Sequence, residues 1–365
     1  MAYGTRRTAE KEDKLQAFTA HFYGDSVTLG NHTFPIGQIS TEILNLPENL
    51  FYDLYSKSNA AINEINRLFD LGIKKDSAFL FAVQKRLNEI FDILFTLPPY
   101  RYMKIDKETP RSLLLIAYRE HRGEFDRSVM PGTSENEILR EFFENILSTG
   151  DELSVFYNYI STMLDIYFEG LKKRDAEHYA VGVYKFMSDS FLTDKLSKMF
   201  PPLDRFQFRQ SRDMSMEYVP MPSPLDKKVY CLAERMEFTR LTDFLHVDLF
   251  RGLTRGNTPR RCHNCGKLFL LLTGHDTCYC NNIAPDRPDR TCRDVGAHNK
   301  EAKKARTPVQ QEYQKAYNRL KTRKSRGKIS IAEWNAEVAK AMDIRDIAER
   351  GELDDAEMKR RFNMI

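Results

Sequence analysis

A chain of 365 residues that is 41% apolar and 12% aromatic is long enough for two or three domains with separate cores and too apolar for global disorder. Its longest apolar run, residues 113–117, falls far short of the roughly 18 residues of a membrane span, and its first 14 residues lack the apolar centre of a signal peptide, which excludes a membrane partner and predicts a cytoplasmic protein. The formal charge of +4 hides an asymmetry: residues 251–328 hold 19 Lys and Arg against six Asp and Glu, a net +13 that leaves −9 for the rest, and positive charge gathered in this way is the footprint of a polyanion binder.

The N-terminal part reads as mainly helical. Residues 15–23 form a short amphipathic piece, and Gly30-Asn31 between the β-formers of 26–29 and 32–36 predicts a small hairpin. Helical periodicity then runs over 49–71, with Leu50, Leu54, Ile62, Ile65, Leu68 and Phe69 on one face and Gly72 as its stop, and over 79–94 up to Pro98-Pro99. Further helices are predicted over 110–121, 134–147, 151–171 and 175–199, separated by Gly123, Pro131-Gly132 and Gly150. Their aromatic residues, among them Phe142, Phe143, Phe156, Tyr157, Tyr159, Tyr167 and Phe168, read at helical spacing as core and not as a cofactor box. A Pro- and Met-rich stretch over 201–227 predicts a linker or crossover, 228–233 a strand, and 239–253 a helix that ends at Gly252 and Gly256.

Residues 260–300 hold five of the six cysteines, and in the cytoplasm clustered thiols point to a metal rather than to disulfides. Cys262-His-Asn-Cys265-Gly266-Lys267 has the spacing of a zinc knuckle. Two thiolates converge on one ion, and Gly266 takes the left-handed turn that lets backbone N–H groups point at the sulfurs. Residues 268–272 have a strand composition. Cys280 and Cys292 supply the second pair, with Cys292 in the first turn of a helix capped by Thr291, whose positive end favours a thiolate. Knuckle, hairpin and helix in that order predict a treble-clef finger with structural Zn2+ on Cys262, Cys265, Cys280 and Cys292, leaving no open position for a water nucleophile. Three alternatives stay open: Cys278 in place of Cys280, a ligand from His263, His275 or His298, and an iron–sulfur cluster. Residues 281–291, with Pro285 and Pro288, read as a polar loop inserted between ligands, and Cys231 as a buried, inert thiol.

The runs Cys262-His-Asn-Cys-Gly-Lys-Leu-Phe, Tyr279-Cys280 and Thr291-Cys292-Arg-Asp-Val-Gly-Ala resemble an uncharacterised bacterial family of helical proteins with a C-terminal cysteine finger. The resemblance covers roughly residues 230–362 and includes Tyr317-Asn-Arg-Leu, Gly327-Lys-Ile-Ser330 and Trp334. More distantly the same runs are similar to CGNR-type treble-clef fingers, which follow helical domains in bacterial transcription regulators, although Arg293-Asp-Val-Gly296 stands where that type has Gly-Asn-Arg. The closer resemblance implies a finger behind a helical domain and no activity. Only the distant one implies DNA binding.

Past Cys292, helices are predicted over 293–306 and 308–323, followed by a basic turn that ends at Gly327-Lys328. Lys303, Lys304, Arg319, Arg323, Lys324 and Arg326 are candidate phosphate contacts, to DNA ahead of RNA, and Tyr313 and Tyr317 either stack on bases or pack. Nearer the thiolates, Arg260, Arg261, Lys267 and Arg293 serve equally as counter-charge to the metal site. Ser330-x-x-Glu333 is a capping box opening a helix that carries Trp334 as a packing anchor, and Asp354-x-x-Glu357 opens a shorter helix. No His-Glu-x-x-His pair, Walker-type glycine loop or nucleophile elbow occurs, so no enzyme is predicted. Two other readings stand beside nucleic-acid binding: a protein-interaction module that meets its partner through the acidic helical domain, and a treble-clef nuclease using His275 and His298. The expected scheme is mainly α, with a helical domain and short hairpin over 1–200, the linker or crossover over 201–227, a strand and helix over 228–256, the finger over 257–306, and a basic helix with an αα-hairpin over 307–365.

Overall fold

Strict alternation settles the first element. In β1 (Phe18–Tyr23) Phe18, Ala20 and Phe22 are buried and their neighbours are not, so the amphipathic piece is a strand. A computed structural model describes residues 17–70, 77–199, 215–223, 226, 228–303 and 307–365, and the chain divides into two compact units, Met1–Arg293 and Asp294–Ile365. β2 (Ser26–Leu29) and β3 (His32–Pro35) form the expected hairpin, with Leu29 opposite His32 across Gly30-Asn31.

The helices of the first unit follow: α1 (Gln38–Ile43), α2 (Glu48–Asp70), α3 (Ser77–Leu94), α4 (Glu108–Glu120), α5 (Arg122–Val129) and α6 (Ser134–Met163), the last continuing as a π turn over Leu164–Phe168. α6 replaces the two helices expected on either side of Gly150. A Cβ at that position would lie 3.0 Å from the Tyr55 nitrogen and 3.3 Å from Leu54 Cγ, so the glycine marks a close crossing with α2 and not a helix end. The opposite correction holds for 175–199, which is two helices, α7 (Ala176–Ser188) and α8 (Ser190–Met199). Between them Asp189 leaves helical geometry, accepts the Tyr167 hydroxyl at 2.6 Å and caps α8 by accepting the Leu192 N–H at 2.9 Å. The aromatic residues of α6 and the π turn are core, as expected: Phe142, Phe143, Phe156, Tyr159 and Phe168 are buried, with Tyr157 and Tyr167 packed against them.

Where composition suggested a linker or crossover, Ser215–Pro222 form β4, paired along its length with β5 (Tyr230–Phe238). The sheet order is β3-β2-β1-β5-β4, with Phe18 opposite Phe238, so the N-terminal hairpin and residues 215–238 make one sheet. Pro220 and Pro222 are compatible with a strand because β4 is an edge. The ladder continues through the Ser223 N–H to the Val229 carbonyl at 2.7 Å, which puts the even-numbered residues of β4 at outward positions where a missing N–H breaks no bond.

α9 (Leu241–Thr254) lies against α1, and one buried carboxylate joins them. Asp248 accepts the backbone N–H of Gly37 at 2.8 Å, the N–H of Ser40 at 2.9 Å and the Ser40 hydroxyl at 2.8 Å, so it caps α1 from a distant part of the chain. The far end of α1 holds the hairpin that carries the first two clustered cysteines. Asn45 donates to the Leu268 carbonyl at 2.7 Å and accepts the Leu268 N–H at 2.8 Å, an amide clamp on the strand that leaves the cysteine knuckle.

In the second unit α11 (Pro308–Ser325), which follows α10 (Cys292–Lys303), packs with α12 (Ile331–Glu349) and α13 (Asp355–Asn363) around Ala316, Ala341, Met358 and Phe362. The caps read from sequence are present, Ser330 with Glu333 and Asp354 accepting the Glu357 N–H at 2.8 Å, and a further capping box, Thr307 with Gln310, opens α11. Among the described residues no helix is long and apolar enough to cross a membrane.

Candidate metal centre

Two hairpins and a helix start carry the cysteines. β6 (Thr258–Arg261) and β7 (Leu268–Leu271) pair with Arg261 opposite Leu268, and the knuckle turns between them: Cys262 N–H donates to the Lys267 carbonyl and Gly266 N–H to the Cys262 carbonyl, both at 2.9 Å. Gly266 has φ +73°, the left-handed turn that its position requires. The segment expected as a polar loop is a second ribbon, β8 (Ile283–Ala284) with β9 (Arg287–Thr291), which spans the gap between the last two cysteines. Cys292 is the first residue of α10 (Cys292–Lys303). Its N–H reaches the Asn282 carbonyl at 2.8 Å and the Arg293 N–H reaches the Cys280 carbonyl at 3.0 Å, so the ribbon delivers the helix start to the knuckle.

The sulfurs of Cys262, Cys265, Cys280 and Cys292 all lie within 4.8 Å of one another, and Cys265 and Cys280 approach to 3.6 Å. A tetrahedral ion with metal–sulfur bonds of about 2.3 Å requires sulfur–sulfur spacings of about 3.8 Å, so this set of four soft donors fits such an ion with little movement. Cys262, Cys280 and Cys292 are buried, and Cys265 closes the exposed side. Burial opposes ionisation at Cys262, but the N–H groups of Cys265, Cys280 and Asn264 aimed at its sulfur bring the thiol down to about 7. Burial and the neighbouring thiols push Cys265 and Cys280 up. The Asn264 side chain adds a donor to Cys292 Sγ at 3.4 Å, a contact that supports a negative sulfur.

Two of the other candidate ligands, Cys278 and His263, are engaged elsewhere. Cys278 stands outside the cluster and accepts from the buried Arg260 guanidinium at 3.1 Å, which also binds Asp276 and the Thr277 carbonyl, each at 2.9 Å. His263 meets Glu169 at 3.0 Å, and Arg261 forks onto Asp165 at 3.0 and 3.1 Å. Both carboxylates come from the π turn and the residue after it, so the knuckle is pinned to the end of α6 as well as to α1. His275 is exposed in the turn after β7, and the side chain of His298 lies outside the described residues. Cys231, expected to be buried, is half-buried in β5 and paired with the Met221 carbonyl at 3.6 Å.

The candidate phosphate contacts separate into three groups. Arg319 donates to the Phe362 carbonyl at 2.6 Å and Arg323 to the Ile365 carbonyl at 2.8 Å, closing the C-terminal end of α13, and Lys324 sits 4.0 Å above the Trp334 ring. Arg326 is exposed, as are Lys321 and Lys328 beside it. Lys304 and the side chain of Lys303 lie outside the described residues. Tyr313 packs on Phe362 at the edge of the small core, and Tyr317 meets Trp334 edge-on outside it, so both tyrosines have aromatic partners within the second unit. Nothing in the α6 sequence marked Asp165 or Glu169 as seats for the knuckle, and Asn45 carried no signal either. Gly266 was the supporting residue read from position, whereas the donor role of Asn264, between the first two ligands, was not.

Residues 209–362 match a family of unknown function, DUF6076. No curated protein and no solved structure matches the chain.

Proposed function

We propose that Cys262, Cys265, Cys280 and Cys292 hold one structural Zn2+ ion in a treble-clef finger, and that the chain binds nucleic acid, DNA ahead of RNA, through the basic segment that follows. The metal reading rests on the convergence of four thiols within 4.8 Å. Four thiolates fill a tetrahedral shell, which favours a structural over a catalytic ion, and zinc is the common divalent metal for such a set. The succession of knuckle hairpin, ribbon and helix start at Cys292 supports the treble-clef reading. Metal analysis of the purified protein should give one zinc per chain. Cys292→Ser should lose it and Cys278→Ser should keep it; retention by the first or loss by the second rejects the ligand set.

The nucleic-acid reading is supported by the +13 carried by residues 251–328 and by the exposed Lys321, Arg326 and Lys328, which have no side-chain partner among the described residues. Binding to mixed-sequence duplexes and single strands should weaken with salt, and neutralising those three residues should lower the log–log salt slope by about 3. No binding at low salt rejects it. A second reading, a protein-interaction module stapled by zinc, is favoured by the intramolecular use of Arg319, Arg323 and Lys324. A partner protein that co-purifies without nucleic acid supports that reading.

A further inference from the structure

α7 is apolar on two sides. Tyr179, Gly182 and Phe186 are buried toward the core, whereas Val181, Tyr184 and Met187 point away from it and are 45%, 71% and 51% exposed. An outward apolar stripe on a helix whose opposite side is already buried fits beneath a partner. Beside this stripe an apolar groove of about 340 Å³ runs between α7 and α9, walled by Ala180, Val183, Phe250 and Leu253. Two charges frame the stripe. Glu177 lies four residues before Val181 and Lys185 four residues after it; both are exposed, and neither has a side-chain partner among the described residues.

We infer that α7 is the contact face of a homodimer, packed antiparallel against α7 of a second copy across a two-fold axis at Val181. Such an axis exchanges positions 177 and 185, so Glu177 of each copy comes level with Lys185 of the other, and the same ion pair forms twice. A parallel packing brings like charges level, and a partner of unrelated sequence has no reason to match a spacing centred on Val181. The stripe offers roughly 300 Å² of apolar surface, well below the roughly 800 Å² per partner of standard complexes even with the groove rim added. The dimer is therefore weak, in the micromolar range.

Sedimentation velocity of the full-length protein, as purified, from about 1 to about 100 μM should show a sedimentation coefficient that rises with concentration. Glu177→Lys alone and Lys185→Glu alone should each raise the dimer Kd by about tenfold, because attraction becomes repulsion at both ends, and the double exchange should restore it. Val181→Glu should leave a monomer. All of these positions are exposed, so circular dichroism and the melting temperature should match the parent. A chain that stays monomeric throughout that range, a dimer indifferent to the single exchanges, or one that the double exchange fails to restore overturns the proposal.

Discussion

Asp248→Ala removes the acceptor for two buried N–H groups at once, those of Gly37 and Ser40, while the Ser40 hydroxyl keeps the Leu245 carbonyl at 2.9 Å as its acceptor. The site has no exposed surface at Asp248 or Ser40, so each orphaned N–H costs at the upper end of the usual range, about 3 kcal/mol, or about 6 kcal/mol together. Against this stands the cost of burying a carboxylate: burial pushes Asp248 up to about 6, although the donor N–H groups pull the other way. Set against an unfolded value near 3.9, that shift corresponds to about 3 kcal/mol, so the net loss on substitution at neutral pH is about 3 kcal/mol. The sign of the pH dependence follows. A folded-state pKa above the unfolded one gives stability that is full below about pH 4 and lost as the pH rises through about 6. Urea unfolding of both proteins should therefore show a difference of about 3 kcal/mol at pH 7.5 that widens as the pH falls toward about 5. A loss below about 1 kcal/mol at neutral pH, or a difference that narrows on acidification, would refute this account of how α1 is held.

Gly150→Ala should lower the melting temperature even though alanine is the better helix former by about 1 kcal/mol, because its Cβ would press on the Tyr55 nitrogen at 3.0 Å; an unchanged or higher melting temperature shows that α2 and α6 have slack. Asn45→Ala leaves the Leu268 N–H and carbonyl without their partner, which should cost about 2 kcal/mol and speed metal loss to a chelator. Lys324→Ala should destabilise the second unit by about 0.5–1 kcal/mol through the lost Trp334 contact, whereas Lys321→Ala should change its stability little, as thermal melts of the two variants will show. Chelation of a zinc-loaded protein should broaden the amide signals of residues 262–292 while leaving the hairpin of β2 and β3 protected from exchange, and uniform loss of protection would contradict a local staple.

Features written in neighbouring residues were legible in the sequence. The Gly30-Asn31 turn, the caps at Ser330 and Asp354 and the Cys-x2-Cys knuckle each need only a few adjacent side chains, and the structure has all of them. Cys280 was the ligand read from the sequence, with Cys278, two positions earlier, as an open alternative; what the sequence did not show is what occupies Cys278, which Arg260, from the neighbouring hairpin, takes. Gly150 misled for a related reason. A glycine that ends a helix and one that admits a neighbouring helix look the same until the neighbour is in place. The edge strand over Ser215–Pro222 was hidden by its prolines, which are tolerated because no strand lies beyond them among the described residues. The basic segment was legible as charge, while its division into cations that close α13 and cations that face outward depends on where the C-terminus returns.

The place of β5 in its sheet bears on how far the family match can be cut from the rest of the chain. Residues 209–362 include β4 and β5 but not β1, and they include the cysteines but not Asn45, Asp165 or Glu169. A fragment trimmed to the match would bare the β5 edge from Glu234 to Phe238 and turn Met236 and Phe238, now under the core, toward water. Its four clustered cysteines would stand on a knuckle with no seat, and it would associate through the open edge. The part of this protein that is recognisable by descent is thus smaller than the part that must be synthesised together, and a working fragment has to begin before Phe18.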